Sequence, residues 1–242
     1  MLKIIVGSGE EISRLIAEQF ILQIQKKPDS VLGLATGTSP LGVYRNLIEA
    51  NKKKVVSFSK VTTFNLDEYI GLEGTHNQSY RYFMNVNLFD HIDIDKKNTF
   101  VLKGVGDYLA YANNYDNLIE EHGGIDLQIL GIGSNGHIAF NEPDTPFDSL
   151  THIADLNEST IKDNSRLFSS IKEVPTKAVT MGLKSIMNAR KIVLIAMGKS
   201  KAEAVKNLIK GKISKRVPSS ILRNHPDVTI YVDQDAYSLV NK

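Results

Sequence analysis

The chain of 242 residues contains no cysteine. That single absence removes disulfides, thiolate metal ligands and cysteine nucleophiles, and it suits a reducing compartment. An excess of one charge is also missing: 29 Lys and Arg against 27 Asp and Glu leave a net charge of +2. Nucleic acid and anionic membrane are therefore not expected as bulk partners. No apolar run approaches the ~20 residues needed to span a bilayer. The opening stretch Met1-Leu2-Lys3-Ile4-Ile5-Val6 is too short for the apolar core of a signal peptide, and Glu10 and Glu11 follow at once. These features point to a cytoplasmic protein. Repeats, low-complexity tracts and linkers are lacking too, so one domain over residues 1–242 is expected. What remains, 42% hydrophobic and 23% charged residues, is the composition of a globular chain able to bury a full core.

Short apolar runs alternate with amphipathic ones. Strands are expected at 2–6, 31–35, 61–65, 99–102, 126–130, 192–197 and 228–232. Helices are expected at 10–27, 41–50, 76–90, 108–121, 159–168 and 200–209. In the first helix Ile12, Leu15, Ile16, Phe20 and Ile24 share one face. This order implies an α/β fold: an open, mostly parallel, Rossmann-like sheet with helices on both faces. Ligands in such folds sit beyond the carboxyl ends of the strands, near a switch in strand order. The segments that follow strands are therefore the place to look for chemistry.

The richest of these is Gly131-Ile132-Gly133-Ser134-Asn135-Gly136-His137-Ile138-Ala139-Phe140-Asn141-Glu142-Pro143. Its glycines fit the dinucleotide spacing G-x-G-x-x-G, and Asp155 lies about 20 residues on. That fingerprint needs a helix to start at the third glycine. Pro143 and Pro146 make an extended loop the expectation instead, and the match is read as false. His137 and Glu142 in one glycine-rich turn suit proton transfer near neutral pH, with Asn135 or Glu142 able to orient the imidazole. A purely structural histidine is the competing reading.

Thr36-Gly37-Thr38-Ser39-Pro40 follows a strand and opens a helix. Its hydroxyls and free N–H groups suit an anion, and Thr38 or Ser39 is expected to cap the helix. No Gly-Lys-Ser/Thr follows, so it is not a Walker A loop. Asp67 and Glu68 stand together after the next strand, as a general base or as a solvated or helix-capping pair. Arg166 and Lys201 are the cations nominated for an anionic substrate. A lysine at a helix start is unfavourable unless an anion shares the site.

Leu34 to Pro40, Phe64 to Tyr69 and Gly136 to Pro143 together resemble the three signatures of the glucosamine-6-phosphate deaminase family, in the same order and at similar separations. The resemblance spans nearly the whole chain. It implies that family's α/β fold and a hydrolase acting on a C–N bond without cofactor or metal. The implied substrate is glucosamine 6-phosphate, and the products are fructose 6-phosphate and ammonia. His137 would assist ring opening, supported by Glu142. Asp67 would take the C2 proton and return one to C1. Thr36, Gly37, Thr38, Arg166 and Lys201 would hold the phosphate. Some members carry aspartate where this chain has Asn135, so orientation of the imidazole rather than acid–base work is expected there. The chain ends ten residues after Val232, which resembles the short, unregulated, monomeric type. The polar segment from about 151 to 174 is a candidate lid. Two alternatives stand beside this reading. One is a lactone hydrolase like the 6-phosphogluconolactonases, for which a carbon-acid base such as Asp67 has no use. The other is a non-catalytic sugar-phosphate sensor, whose helix-turn-helix has no room before the first strand.

Overall fold

A computed structural model describes residues 2–240 of the chain. The first strand, β1 (Lys3–Val6), leads into α1 (Gly9–Lys26). Ser8 caps this helix by accepting from the Glu11 N–H at 3.1 Å. Glu10 and Glu11 occupy its first turn and Lys26 its last, matching the helix dipole. Ile12, Ile16, Phe20 and Ile24 are buried, as their spacing requires. The chain continues through β2 (Val31–Leu34), α2 (Leu41–Lys52), β3 (Thr62–Asn65), β4 (Asp67–Tyr69), α3 (Tyr80–Asn87), β5 (Thr99–Phe100) and α4 (Tyr108–Glu121). Then come β6 (Leu127–Leu130), β7 (His152–Asp155), α5 (Glu158–Asn164), β8 (Lys177–Thr180) and α6 (Leu183–Met187). The last elements are β9 (Ile192–Ala196), α7 (Ala202–Lys210), β10 (Val228–Val232) and α8 (Gln234–Tyr237).

Seven strands form one parallel sheet in the order β1-β10-β9-β6-β2-β3-β5. Every residue of β2, β6, β9 and β10 is buried, because helices cover the sheet on both sides. From β2 the chain winds outward through β3 and β5. From β6 it winds the other way through β9 and β10. The seam between β2 and β6 is thus the switch in strand order. Gly33 and Gln128 pair across it. A β-carbon on Gly33 would come within 2.6 Å of the Gln128 side chain, so nothing larger than glycine fits. At the amino end of the seam, Asp126 accepts from Val31 N–H at 2.8 Å, Lys27 Nζ at 2.7 Å and Arg190 Nη1 at 3.2 Å.

A second sheet, antiparallel and in the order β4-β8-β7, was not expected from the sequence. Its strands are short and mixed in character (Asp-Glu-Tyr, His-Ile-Ala-Asp, Lys-Ala-Val-Thr), so no apolar run announces them. Three helices also depart from expectation. The one expected from residue 76 starts at Tyr80, because Ser79 caps it from the Tyr82 N–H. The one expected at 159–168 stops at Asn164 and tightens into a 3₁₀ turn, Ser165–Leu167. The one expected from 200 begins with the 3₁₀ turn Lys199–Lys201. Among the described residues no helix is long and apolar enough to cross a membrane.

Candidate active site

A cavity of about 570 Å³ opens at the carboxyl end of the β2–β6 seam. That volume is typical of a small-molecule site. It gathers Thr36, Gly37 and Thr38 from beyond β2, Asp67 from beyond β3, His137 from beyond β6 and Lys201 from beyond β9. Arg166, in the turn after α5, completes its rim. All seven were nominated from sequence. Asn135 and Glu142 do not line it; they stand behind His137.

The anion end is built by the segment after β2. The helix cap expected from Thr38 or Ser39 is absent: Pro40 occupies the capping position and α2 starts at Leu41 with no side-chain cap. Proline has no side-chain acceptor, and the helix is closed instead by a long Leu41 N–H bond to Thr38 O, 3.4 Å. The hydroxyls are therefore left for a ligand. Gly37 has φ of +95°, a conformation that favours glycine. Burial lowers the Lys201 pKa; Asp163 nearby works against that shift, and Arg166 adds to it. A half-buried lysine with a second cation beside it calls for an anion.

The histidine is set by its loop. A β-carbon at Gly133 would lie 2.3 Å from the His137 ring, so glycine there lets the imidazole lie against the backbone. Gly136 turns with φ +87°. Asn141 pins the loop by donating from Nδ2 to Ile138 O at 2.9 Å and to Met181 O at 2.8 Å. Phe140 N–H donates to Thr180 Oγ1 at 3.0 Å, which ties the loop to β8. The segment after Gly136 is a loop without helix, as the prolines required.

His137 Nδ1 lies 3.5 Å from Glu142 Oε2, with no hydrogen-bond partner as it stands. Asn135 does not touch the imidazole, contrary to expectation. Its Nδ2 donates to Glu142 Oε2 at 2.7 Å, and its Oδ1 accepts from the His137 backbone N–H at 3.1 Å. The residue is two positions from the histidine and its side chain folds back on the turn, so it orients the glutamate and the loop rather than the ring. Burial alone would raise the Glu142 pKa; the His137 contact, with the Thr160 and Asn135 side chains, outweighs it and leaves it lowered.

The two adjacent carboxylates after β3 have separate fates, because neighbours on a strand face opposite ways. Glu68 is buried and accepts from Ser79 Oγ at 2.7 Å, Tyr80 N–H at 2.9 Å, Arg81 N–H at 3.1 Å and its neighbour Tyr69 N–H at 2.9 Å. It closes the N-terminus of α3. Asp67 faces the cavity, and no protein donor among the described residues reaches its carboxylate. Burial, with the nearby Glu68 charge, raises its pKa to about 8. Neither is the solvated charge that was one reading of the pair.

Sequence reasoning missed an aromatic wall. Tyr80 and Phe140 both line the cavity, with nearly parallel rings 13° apart and centroids at 6.0 Å. A start of α3 at Ser79 was readable as a cap, and would have brought Tyr80 to the helix entrance. Thr160 and Asp163 of α5 also line the cavity, and Asp163 accepts from Ser134 Oγ at 2.7 Å. Among the described residues no cluster of three or more His, Cys, Asp or Glu could hold a metal ion.

A doubly wound α/β fold with an anion loop, paired cations and buried proton-transfer groups in one cleft defines an enzyme for a small anionic substrate. The family description "Glucosamine-6-phosphate isomerases/6-phosphogluconolactonase" matches residues 8–231, and the chain belongs to that family. It is 54% identical to a glucosamine-6-phosphate deaminase of Thermoanaerobacter pseudethanolicus, over 98% of this chain and 94% of the relative. A glucosamine-6-phosphate deaminase of Clostridium perfringens is 51% identical over 98% of each chain. A solved monomeric glucosamine-6-phosphate deaminase superposes with a TM-score of 0.96 at 46% identity, covering 98% of this chain and 99% of that one. The 6-phosphogluconolactonase of Trypanosoma brucei, with a TM-score of 0.78 and 17% identity over 98% of both chains, shares the fold.

Proposed function

We propose that the chain is a glucosamine-6-phosphate deaminase, converting glucosamine 6-phosphate and water to fructose 6-phosphate and ammonia. The observation that carries this reading is Asp67: a carboxylate without a donor among the described residues, its pKa raised to about 8, in the same cavity as His137 and the anion loop. Abstraction of a proton from carbon needs a base of raised pKa held close to it.

The phosphate is held by Thr36, Gly37, Thr38, Arg166 and Lys201. Its binding energy fixes the sugar against the reacting groups. His137 opens the pyranose ring by taking the proton of the C1 hydroxyl and delivering one to the ring oxygen, and Glu142 supports the imidazolium between the two transfers. Asp67 then takes the C2 proton of the open-chain aldehyde while O1 takes a proton from the substrate's ammonium group, giving an enolamine. Return of that proton to C1 gives the 2-imine; water adds at C2 and ammonia leaves. No step calls for a redox or group-carrying cofactor. Asn135 acts by holding Glu142.

A lactonase reading is weaker, since lactone hydrolysis has no use for a carbon-acid base at position 67. The likeness to a solved monomeric deaminase supports a chain that works as a monomer, and a cytoplasmic enzyme fits the lack of cysteine. The candidate lid is narrower than 151–174, because β7 is bonded to β8; it begins after Asp155. Release of ammonia and fructose 6-phosphate from glucosamine 6-phosphate, by wild type and by Asp67→Asn, tests the reading. Turnover by wild type and its loss in Asp67→Asn are expected. Unchanged turnover in the variant, or hydrolysis of 6-phosphogluconolactone alone, would overturn it.

A further inference from the structure

Glu142 is held by more than Asn135. Asn157 donates its backbone N–H to Oε1 at 3.3 Å and its side-chain Nδ2 to Oε2 at 3.2 Å. Asn135 reaches Oε2 alone. The backbone N–H holds Oε1 whatever the side chain at 157; what the Asn157 amide adds is a second donor on Oε2, the oxygen that faces His137. The His137 Nδ1 stands 3.5 Å from Oε2 and has no other partner, so a few tenths of an ångström in Glu142 decide whether that hydrogen bond forms.

The position of Asn157 gives this contact a second meaning. It is the N-cap residue of α5, with extended backbone angles, yet its side chain makes no bond to the helix. Asparagine is among the best capping residues, and an uncommitted one would bond the first-turn N–H groups. Here the amide is turned away to Glu142. The same short segment carries Thr160 and Asp163 into the cavity and leads directly to Arg166.

From these contacts the geometry points to Asn157 as a positioning residue for ring opening: it fixes the Glu142 carboxylate that aligns His137, and thereby couples the phosphate-facing segment 157–166 to the acid–base pair. This rests on the deaminase reading given above. Asn157 does not line the cavity; it acts through Glu142. Closure of Arg166 onto a phosphate would draw on the helix that Asn157 begins, so the grip on one end of the sugar would set the proton donor at the other.

The test compares Asn157→Ala and Asn157→Ser with wild type. Serine caps helices as well as asparagine does but is too short to reach Glu142. Loss of a hydrogen bond to a carboxylate is expected to lower kcat about tenfold in both variants. KM for glucosamine 6-phosphate should change by less than about twofold, since no phosphate contact is removed. The His137 ring ¹⁵N signals should shift in both. Glu158→Ala, one residue on and exposed, is the control and should match wild type. A serine variant with full kcat and unmoved His137 signals would show that the Asn157 side chain does not govern Glu142, and would overturn the inference. Should wild type release no ammonia, the deaminase reading fails, while the His137 signals still report whether Asn157 governs the Glu142 contact.

Discussion

Asp67 and Glu142 are both buried carboxylates at the same cleft, and their surroundings drive them in opposite directions. Asp67 is buried beside the charge of Glu68, with no donor among the described residues to offset that burial, so its pKa rises to about 8. Glu142 is met by His137, Thr160 and the Asn135 amide, which outweigh its burial, so its pKa falls below the usual carboxylate value. The difference lies in donors and in depth, since Asp67 is the more deeply enclosed of the two. A carboxylate left bare can take a proton from carbon; one surrounded by donors stays ionised and steadies a cation.

The strongest way to break this contrast is to remove the bare base. Asp67→Asn should lower kcat by about 10³-fold, a typical share for a positioned general base, measured as ammonia release. The same variant should gain stability where the wild type is weakest. Wild-type Asp67 has a folded pKa above its unfolded one, so its favourable contribution is complete below about pH 4 and is lost as pH rises through about 8. Asp67→Asn should therefore melt higher than wild type at pH 9, with little difference at pH 4.

Removing the wrapped carboxylate is expected to cost less. Glu142→Gln should lower kcat by roughly 10²-fold, since orientation persists in part while the charge is gone. Conversion of one environment toward the other is subtler. Asn135→Asp sets a second carboxylate where Nδ2 now donates to Glu142 at 2.7 Å. Substantial activity should remain, with a shifted pH profile as the pair shares a proton; complete inactivity would count against an orienting role. The smallest effect is expected from Glu68→Gln. Loss of the like charge should move the acidic limb of kcat/KM, expected near pH 8 for wild type, to lower pH. A limb that stays in place would mean that burial alone sets Asp67.

The parallel sheet was legible because its central strands, Val-Leu-Gly-Leu, Leu-Gln-Ile-Leu, Ile-Val-Leu-Ile-Ala and Val-Thr-Ile-Tyr-Val, are buried on both faces and must be apolar. The small sheet was not, since Asp67–Tyr69 and His152–Asp155 become strands only by pairing with Lys177–Thr180. Legibility of the site divides along the same line. Thr36, Gly37, Thr38, Asp67 and His137 follow strands of the parallel sheet, where chemistry is expected. Arg166 and Lys201 were found through charge. Asn157 and Tyr80 were hidden: the bond from Asn157 to Glu142 depends on how β7 returns the chain to the loop, and the stacking of Tyr80 on Phe140 on where α3 begins. The misread role of Asn135 has a local cause, since a side-chain amide two residues from a histidine can reach the ring or its backbone with equal ease.

The β2–β6 seam has a consequence for how activity is acquired. The bond from Val31 N–H to Asp126 joins residues 95 apart in the chain, and the cleft lies at the other end of the same pair of strands. Neither the half that winds through β3 and β5 nor the half that winds through β9 and β10 contains a site of its own. Closing so long a loop is slow compared with forming local helices. During refolding, helical signal should therefore return first and ammonia release last, making turnover a reporter of when the two halves have met.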